Sequence, residues 1–256
     1  MTIRYTLHKQ YQHLEYVFEN IQDYFNASDA FIHDARNKLK IIEVDGLEIV
    51  VKAFRIPNYL NQFVYGTLRD SKAKKSYDHS IKLQILNITC PEPIGYIEFY
   101  DGILLKESYF LSLRSNYDFT IREPLLDHNF KDHDNIFTKF GEFTADIHAK
   151  GVLHNDYSPG NILITRLDNN EFKFDLVDIN RMRFGHIQLK DKMKNLSKLW
   201  ANENDIKLIA TAYALRMSYD IQEIIQKIIF YDRKNKNIKT FKRYIKGKLS
   251  TIFQSS

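Results

Sequence analysis

Apolar residues near the start of the chain recur at helical spacing and then at strand spacing. Leu14, Val17, Ile21 and Tyr24 stand three and four apart, the stripe of an amphipathic helix. Three strands are then predicted over Phe31–Asp34, Lys38–Val44 and Leu47–Phe54. Asp45-Gly46 joins the last two as a tight hairpin, because glycine accepts the positive φ such a turn needs. Pro57 ends the third strand. Lys72–Leu86 reads as a helix carrying Tyr77, Ile81 and Ile85, and Pro91 and Pro93 close it. Strands resume over Gly95–Tyr100 and Ile103–Leu111, about a turn at Asp101-Gly102.

Beyond Leu113 the pattern turns helical. Asp134 is placed to cap a helix whose Ile136, Phe140, Phe143 and Ile147 recur at four, three and four, and Gly151 stops it. A short β pair follows, Ile162–Ile164 and Phe172–Val177 around a turn at Asp168-Asn169-Asn170. The remainder is mostly helical. The order defines an α+β class: a strand-rich N-lobe over residues 1–113 with one main helix, then a helical C-lobe over 114–256. A cleft between two lobes is a usual ligand site.

Composition narrows this picture. The 256 residues are 44% hydrophobic and 27% charged, which suits a folded chain and excludes wholesale disorder. Cys90 is the single cysteine, so an intrachain disulfide and a cysteine-based zinc site are both excluded, and a reducing compartment is expected. The start of the chain lacks the apolar core of a secretory leader, and no run approaches the ~20 apolar residues of a membrane span. A soluble, cytoplasmic protein is the expectation. Charge is displaced: Arg233 to Lys248 holds eight basic residues and no acidic one. Subtracting this +8 from the net +5 leaves −3 on the other 240 residues. A mildly acidic body with a basic tail argues against a nucleic-acid partner.

The sharpest segment is His154-Asn155-Asp156-Tyr157-Ser158-Pro159-Gly160-Asn161. An Asp, an Asn five residues on, and a second Asp, Asp178, beyond a hairpin form the catalytic-loop and metal-loop pattern of protein-kinase-like enzymes. Phosphoryl transfer needs oxygen ligands for Mg²⁺ and a separate carboxylate to orient the attacking hydroxyl. Asp156 takes the catalytic role, Asn161 and Asp178 the metal, and His154 braces the loop. Upstream, Val50-Val51-Lys52 places one lysine on an apolar strand, as a partner for the α/β-phosphates. Asp78, on the following helix, is the expected carboxylate for Lys52. No G-x-G-x-x-G occurs in the first hundred residues. The turn Asp34-Ala35-Arg36-Asn37-Lys38 is either a plain polar hairpin or the segment whose Arg36, Lys38 or amides cover the phosphates.

On these stretches, with Ser71–Tyr77, Pro91–Tyr96 and Val177–Phe184, the sequence resembles the lipopolysaccharide kinase group. This is the Kdo/heptose kinase branch of the protein-kinase-like superfamily, in a Bacteroidetes-type form. The likeness spans about residues 30–185. It implies a two-lobe kinase-like fold with ATP between the lobes and a hinge near Glu107–Leu113. It also implies Mg²⁺ as cofactor and a sugar hydroxyl of the lipopolysaccharide lipid A–core region as acceptor, at the inner face of the inner membrane. Asn155 replaces the usual arginine, so control by activation-loop phosphorylation is not expected. Asp178 is followed by Ile179-Asn180 rather than Phe-Gly, and no Ala-Pro-Glu follows. Arg181 and Arg183 either meet an anionic acceptor or form internal salt bridges. The stripe Ile238, Phe241, Ile245, Leu249 and Ile252 either lies on an anionic membrane or packs on the C-lobe. A kinase of another acceptor and a nucleotide-binding pseudokinase remain open alternatives.

Overall fold

The computed structural model describes residues 1–34, 37–55 and 58–254, with side chains outside 33–34, 60–61, 66–67 and 241–254. Arg36 and Pro57 lie outside the described residues, as do the side chains of Phe241, Ile245, Leu249 and Ile252. Two compact units result, one formed by residues 1–116 with 175–181, the other by 117–174 with 182–256. The sequence suggested a single division after residue 113; the structure instead returns residues 175–181 to the first unit.

The first unit begins with β1 (Thr2–Leu7), an edge strand that alternates polar and apolar residues but is largely exposed. The expected first helix is broken into a 3-10 turn, α1 (Glu15–Glu19) and α2 (Ile21–Ala27). Asn20 causes the break: it leaves helical geometry at φ −115°, ψ 21°, and its side chain donates to the Tyr16 carbonyl at 2.8 Å. The stripe nevertheless holds, since Leu14, Val17, Phe18 and Ile21 are fully buried.

Strands β2 (Phe31–Asp34), β3 (Lys38–Val44) and β4 (Leu47–Ala53) follow, with Asp45 and Gly46 both at positive φ in the hairpin. Then come α3 (Tyr59–Thr67), which was not expected, and α4 (Lys72–Ile85). The unit closes its sheet with β5 (Pro93–Asp101) and β6 (Leu104–Leu113). The six strands run in the order β1-β5-β6-β4-β3-β2. Residues 107–113, expected as a hinge, are part of β6 and pair with both β4 and β5. The core packs Leu14, Val17, Phe18, Ile21 and Phe25 against Ile42, Ile49, Val51, Ile97 and Leu111 of the sheet. Each such side chain contributes about 1.5–3 kcal/mol by leaving water.

On α4, Ser71 caps the helix by accepting from the Lys74 amide at 3.0 Å. Its buried face is Ala73, Ser76, Tyr77, Ser80 and Leu83, whereas Ile85 is exposed. Two serines can be buried because each hydroxyl donates to its own helix, Ser76 to the Lys72 carbonyl and Ser80 to that of Ser76, both at 2.9 Å.

The second unit contains β7 (Phe119–Thr120), α5 (Arg122–Leu126), α6 (His133–Ala149), β8 (Val152–His154), β9 (Ile162–Arg166), β10 (Phe172–Leu176), β11 (Met182–Phe184), α7 (Leu189–Leu196), α8 (Glu203–Met217) and α9 (Ile221–Gln254). Only the first three residues of β10 belong to this unit. The strands form a β10-β9-β7 sheet and a β11-β8 pair. The helix expected from Asp134 begins instead after Asp132, which sits at φ +64°; the Asp134 carboxylate meets His133 rather than capping. The expected stop holds, with Gly151 at φ +72° one residue past the cap. In α9, Arg233 bonds Glu203, Lys236 bonds the Ala201 carbonyl and Lys239 lies 4.2 Å from the Trp200 ring. These basic side chains pack on their own unit. Among the described residues, no helix is long and apolar enough to cross a membrane.

One glycine is fixed by close approach. A Cβ on Gly95 would stand well inside contact distance of the Thr6 carbonyl and 2.7 Å from the Phe18 ring. We expect Gly95→Ala to lower stability by about 1–3 kcal/mol through overpacking. Urea denaturation checks this: the midpoint should fall with an unchanged slope, and an unchanged midpoint would contradict the packing described.

Candidate functional site

In the first unit, Lys52 sits on β4, opposite Leu39 of β3 and Phe110 of β6, and is buried. An unpaired buried ammonium would be costly. Its Nζ donates to Oδ1 of Asp178, with the Phe54 ring 5.4 Å from the same nitrogen. Asp178 takes φ +56°, a left-handed conformation uncommon outside glycine. Asn180 Nδ2 donates to the same Oδ1 at 3.0 Å. On one side of this turn the Leu176 amide donates to the Thr89 carbonyl at 3.1 Å, and on the other the Ile179 carbonyl accepts from His79 Nδ1 of α4 at 2.8 Å. Burial holds the His79 ring below its ordinary range, so it is the neutral Nδ1–H tautomer that makes this bond.

Asp78, expected to pair with Lys52, does not. Its carboxylate accepts from Lys74 at 3.2 Å on the half-exposed side of α4. The buried face of that helix carries no carboxylate at all, so the lysine takes Asp178 instead.

In the second unit, the loop after β8 carries Asp156 and Asn161. Asn161 Nδ2 donates to the Asp156 carbonyl at 2.8 Å, which leaves the amide oxygen as the atom a cation would take. The Asp156 amide donates to His154 Nδ1 at 3.1 Å, so this fully buried ring is the Nε2–H tautomer. The bracing role expected of His154 is thus visible. Tyr157, also fully buried, stacks on Phe140 at 5.7 Å and shares a 2.8 Å hydrogen bond with Thr144.

Behind the loop lies a buried polar chain. Asn195 of α7 donates through Nδ2 to the His154 carbonyl at 2.8 Å, and its Oδ1 lies 3.1 Å from His148 Nε2. His148 Nδ1 is 3.1 Å from the Tyr213 hydroxyl of α8. Burial lowers the His148 ring to about 4, so it is neutral at pH 7. Every proton then has one place: Tyr213 donates to Nδ1, Nε2–H donates to Asn195, and Asn195 donates to the loop. Lys198, just beyond α7, donates from Nζ to the Asn155 carbonyl beside Asp156. Its ammonium is held below the ordinary lysine range by burial, with Asp156 acting the other way. Arg183 pairs with Asp191 at 2.6 Å, the internal salt bridge among its two readings. Lys38, considered for phosphate binding, is exposed at the start of β3.

The structure therefore brings Lys52 to Asp178 and Asp156 to Asn161, each within one unit. Sequence reasoning missed His79, Asn180, His148, Asn195 and Lys198. Asn180 had a signal, standing two residues past Asp178. The others are distant in sequence and are recruited only by packing.

The fold is the mixed α+β fold of kinase-like enzymes, strand-rich and then helical. A solved structure described as "WaaP in complex with acyl carrier protein" superposes with a TM-score of 0.63 at 14% identity, covering 91% of this chain and 98% of that one. Residues 125–218 match the Lipopolysaccharide kinase (Kdo/WaaP) family, and over that segment the chain is homologous to it. No curated protein matches the sequence.

The buried His148 carries a pH dependence. Its folded value lies below the unfolded one of about 6.5, so the unfolded chain binds more protons between those values. Its contribution is complete above about pH 6.5 and is lost as pH falls toward 4, at up to about 1.4 kcal/mol per pH unit. Denaturation midpoints measured against pH should show His148→Gln less stable at pH 7 and with a shallower acid slope. An identical acid slope would contradict the assignment.

Proposed function

We propose that the chain is an ATP- and Mg²⁺-dependent kinase that phosphorylates a sugar hydroxyl of the lipopolysaccharide lipid A–core region at the cytoplasmic face of the inner membrane. The observation that carries this reading is the Lys52–Asp178 pair, made across 126 residues of sequence. A strand lysine and a loop carboxylate meet where the sequence pattern assigns phosphate and metal binding. Homology of residues 125–218 to the Kdo/WaaP family supports the reaction class and the acceptor.

The donor set fits a hard cation. Asp178 and Asn161 offer only oxygen, the ligand type Mg²⁺ prefers. Asp178 is held in its left-handed turn by Asn180 and Lys52, and Asn161 has its amide nitrogen committed to the Asp156 carbonyl. When bound, Mg²⁺ neutralises charge on the phosphates. In the reaction, the Asp156 carboxylate accepts the proton of the attacking hydroxyl, and the Lys52 ammonium holds the donor's α/β-phosphates. Lys198 and the His148–Asn195 chain keep the Asp156 backbone in place while charge develops, so that little reorganisation is needed.

Transfer of label from γ-labelled ATP to deacylated lipopolysaccharide core tests the reading. The wild type should transfer one phosphate per acceptor, and Asp156→Ala should reduce the rate by about 10²–10⁴-fold. Equal rates in the two proteins would remove Asp156 from the chemistry. ATP binding without transfer to any sugar acceptor would instead support the nucleotide-binding module, the reading that the missing glycine-rich loop favours.

A further inference from the structure

Within the second unit, a separate constellation of ligands gathers where the N-terminal ends of α6 and α8 meet. His133 is the first residue of α6, Asp205 lies in the first turn of α8, and His128 is on the loop after α5. Each offers one ligand atom, and the three atoms lie within 4.8 Å of one another. None belongs to the set assigned to phosphoryl transfer. They line an open groove of about 880 Å³ shared with Asp134, Glu142 and Lys207.

Hydrogen bonding leaves two buried atoms of this cluster unsatisfied. His133 Nδ1 lies 2.9 Å from Oδ1 of Asp134, which as a carboxylate oxygen accepts the Nδ1 proton. With Nδ1 engaged by Asp134, Nε2 is the ring atom that faces inward. That nitrogen faces Oδ1 of Asp205 at 3.3 Å, yet neither buried atom has a hydrogen bond. The Asp205 side chain is 1% exposed. A buried ring nitrogen and a buried carboxylate oxygen thus face each other without a hydrogen bond, an arrangement that a shared metal ion would satisfy. Asp205 is otherwise fixed: Asn202 donates to its Oδ2 at 2.8 Å and accepts from its amide at 2.9 Å.

The geometry points to a binding site for a divalent transition-metal ion, with zinc as the best fit, ligated by His133 Nε2, an Asp205 carboxylate oxygen and a His128 ring nitrogen. Two ligands bound at about 2.0–2.1 Å with tetrahedral angles stand about 3.3–3.4 Å apart, which matches the Nε2 to Oδ1 distance. The Asp134–His133 bond supplies the carboxylate behind the histidine that usually orients a metal ligand. Imidazole and carboxylate together suit zinc, and three protein ligands leave a fourth position facing the groove. His128 is exposed, its ring 5.9 Å from that of His133 and its Nδ1 only 3.4 Å from Asn202 Nδ2, a long contact that a small ring movement toward the ion would replace. With both rings neutral, two carboxylates balance a dication. The ion would clamp α6 to α8 at their N-terminal ends. This site stands apart from the phosphoryl-transfer reading and does not depend on it.

The test uses the untagged full chain, stripped with chelator and then dialysed against low-micromolar zinc. One zinc should be retained per chain, and cobalt in its place should give the visible absorption of a tetrahedral site. His128→Ala and Asp205→Asn should each weaken zinc binding by about tenfold or more, with unchanged far-ultraviolet circular dichroism. His128 is exposed, so its variant stays informative if Asp205→Asn misfolds. Cys90→Ser and Asp178→Asn should retain zinc, which separates this site from the lone thiol and from the loop assigned to Mg²⁺. No retained zinc, or wild-type affinity in His128→Ala, would overturn the assignment. A protonated His133 bridging the two carboxylates would then be the simpler account.

Discussion

A buried ammonium must find a negative charge, and in this chain that requirement organises the first unit. Lys52 lies in the middle of a six-stranded sheet, flanked by paired strands on both sides. The helix that crosses nearby presents alanine, serines, tyrosine and leucine, with no carboxylate among its buried residues. The compensating charge is Asp178, far along the chain. Its turn is held by the His79–Ile179 and Leu176–Thr89 bonds, and so residues 175–181 group with a unit that otherwise ends at residue 116. A single pairing thus explains both an unusual backbone conformation and the division of the chain. A left-handed aspartate costs on the order of 1–3 kcal/mol and persists where its surroundings over-determine it. Here an ammonium, a side-chain amide, one main-chain bond and the His79 bond to the main chain do so.

The second unit solves a different problem with neutral groups. The loop bearing Asp156 and Asn161 must be rigid, yet its supports are buried, where an ion would be expensive. Tyr213, His148, Asn195 and His154 form a chain in which each donor has an acceptor, without any net charge. Three helices and a loop are tied together by side chains that sequence spacing alone does not connect. The cluster of His128, His133 and Asp205 is the counter-example in the same unit: His133 Nε2 and Asp205 Oδ1 face one another, buried and without a hydrogen bond.

Much of the fold was legible because its signals are local. Hairpin turns at Asp45-Gly46 and Asp101-Gly102, the alternation of β3 and β4, and the stripe of α6 all appear where spacing and turn chemistry place them. The edge strand β1 and helix α3 were missed although both carry a period, with polar and apolar residues alternating over Thr2–Leu7 and Leu60, Phe63 and Val64 at helical spacing; both are short segments with little else to mark them. The Asp78 assignment failed for a different reason. Reading α4 through Tyr77, Ile81 and Ile85 favours large apolar side chains, but Ile85 is exposed and the buried face runs through Ser76 and Ser80. Those serines are satisfied by their own helix, which hydropathy cannot register. Spacing singled out Lys52, Asp156, Asn161 and Asp178 as candidates; the partner of Lys52 was not legible, because a pairing across 126 residues is a property of packing.

The central claim is that Lys52, Asp156, Asn161 and Asp178 serve phosphoryl transfer to the lipid A–core region. Mass spectrometry of lipopolysaccharide from cells carrying the wild-type gene, no gene, or the Asp178→Asn variant addresses it most directly. The account predicts that core species from the last two strains lack one phosphate present in the first. Identical phosphate content in all three would contradict it.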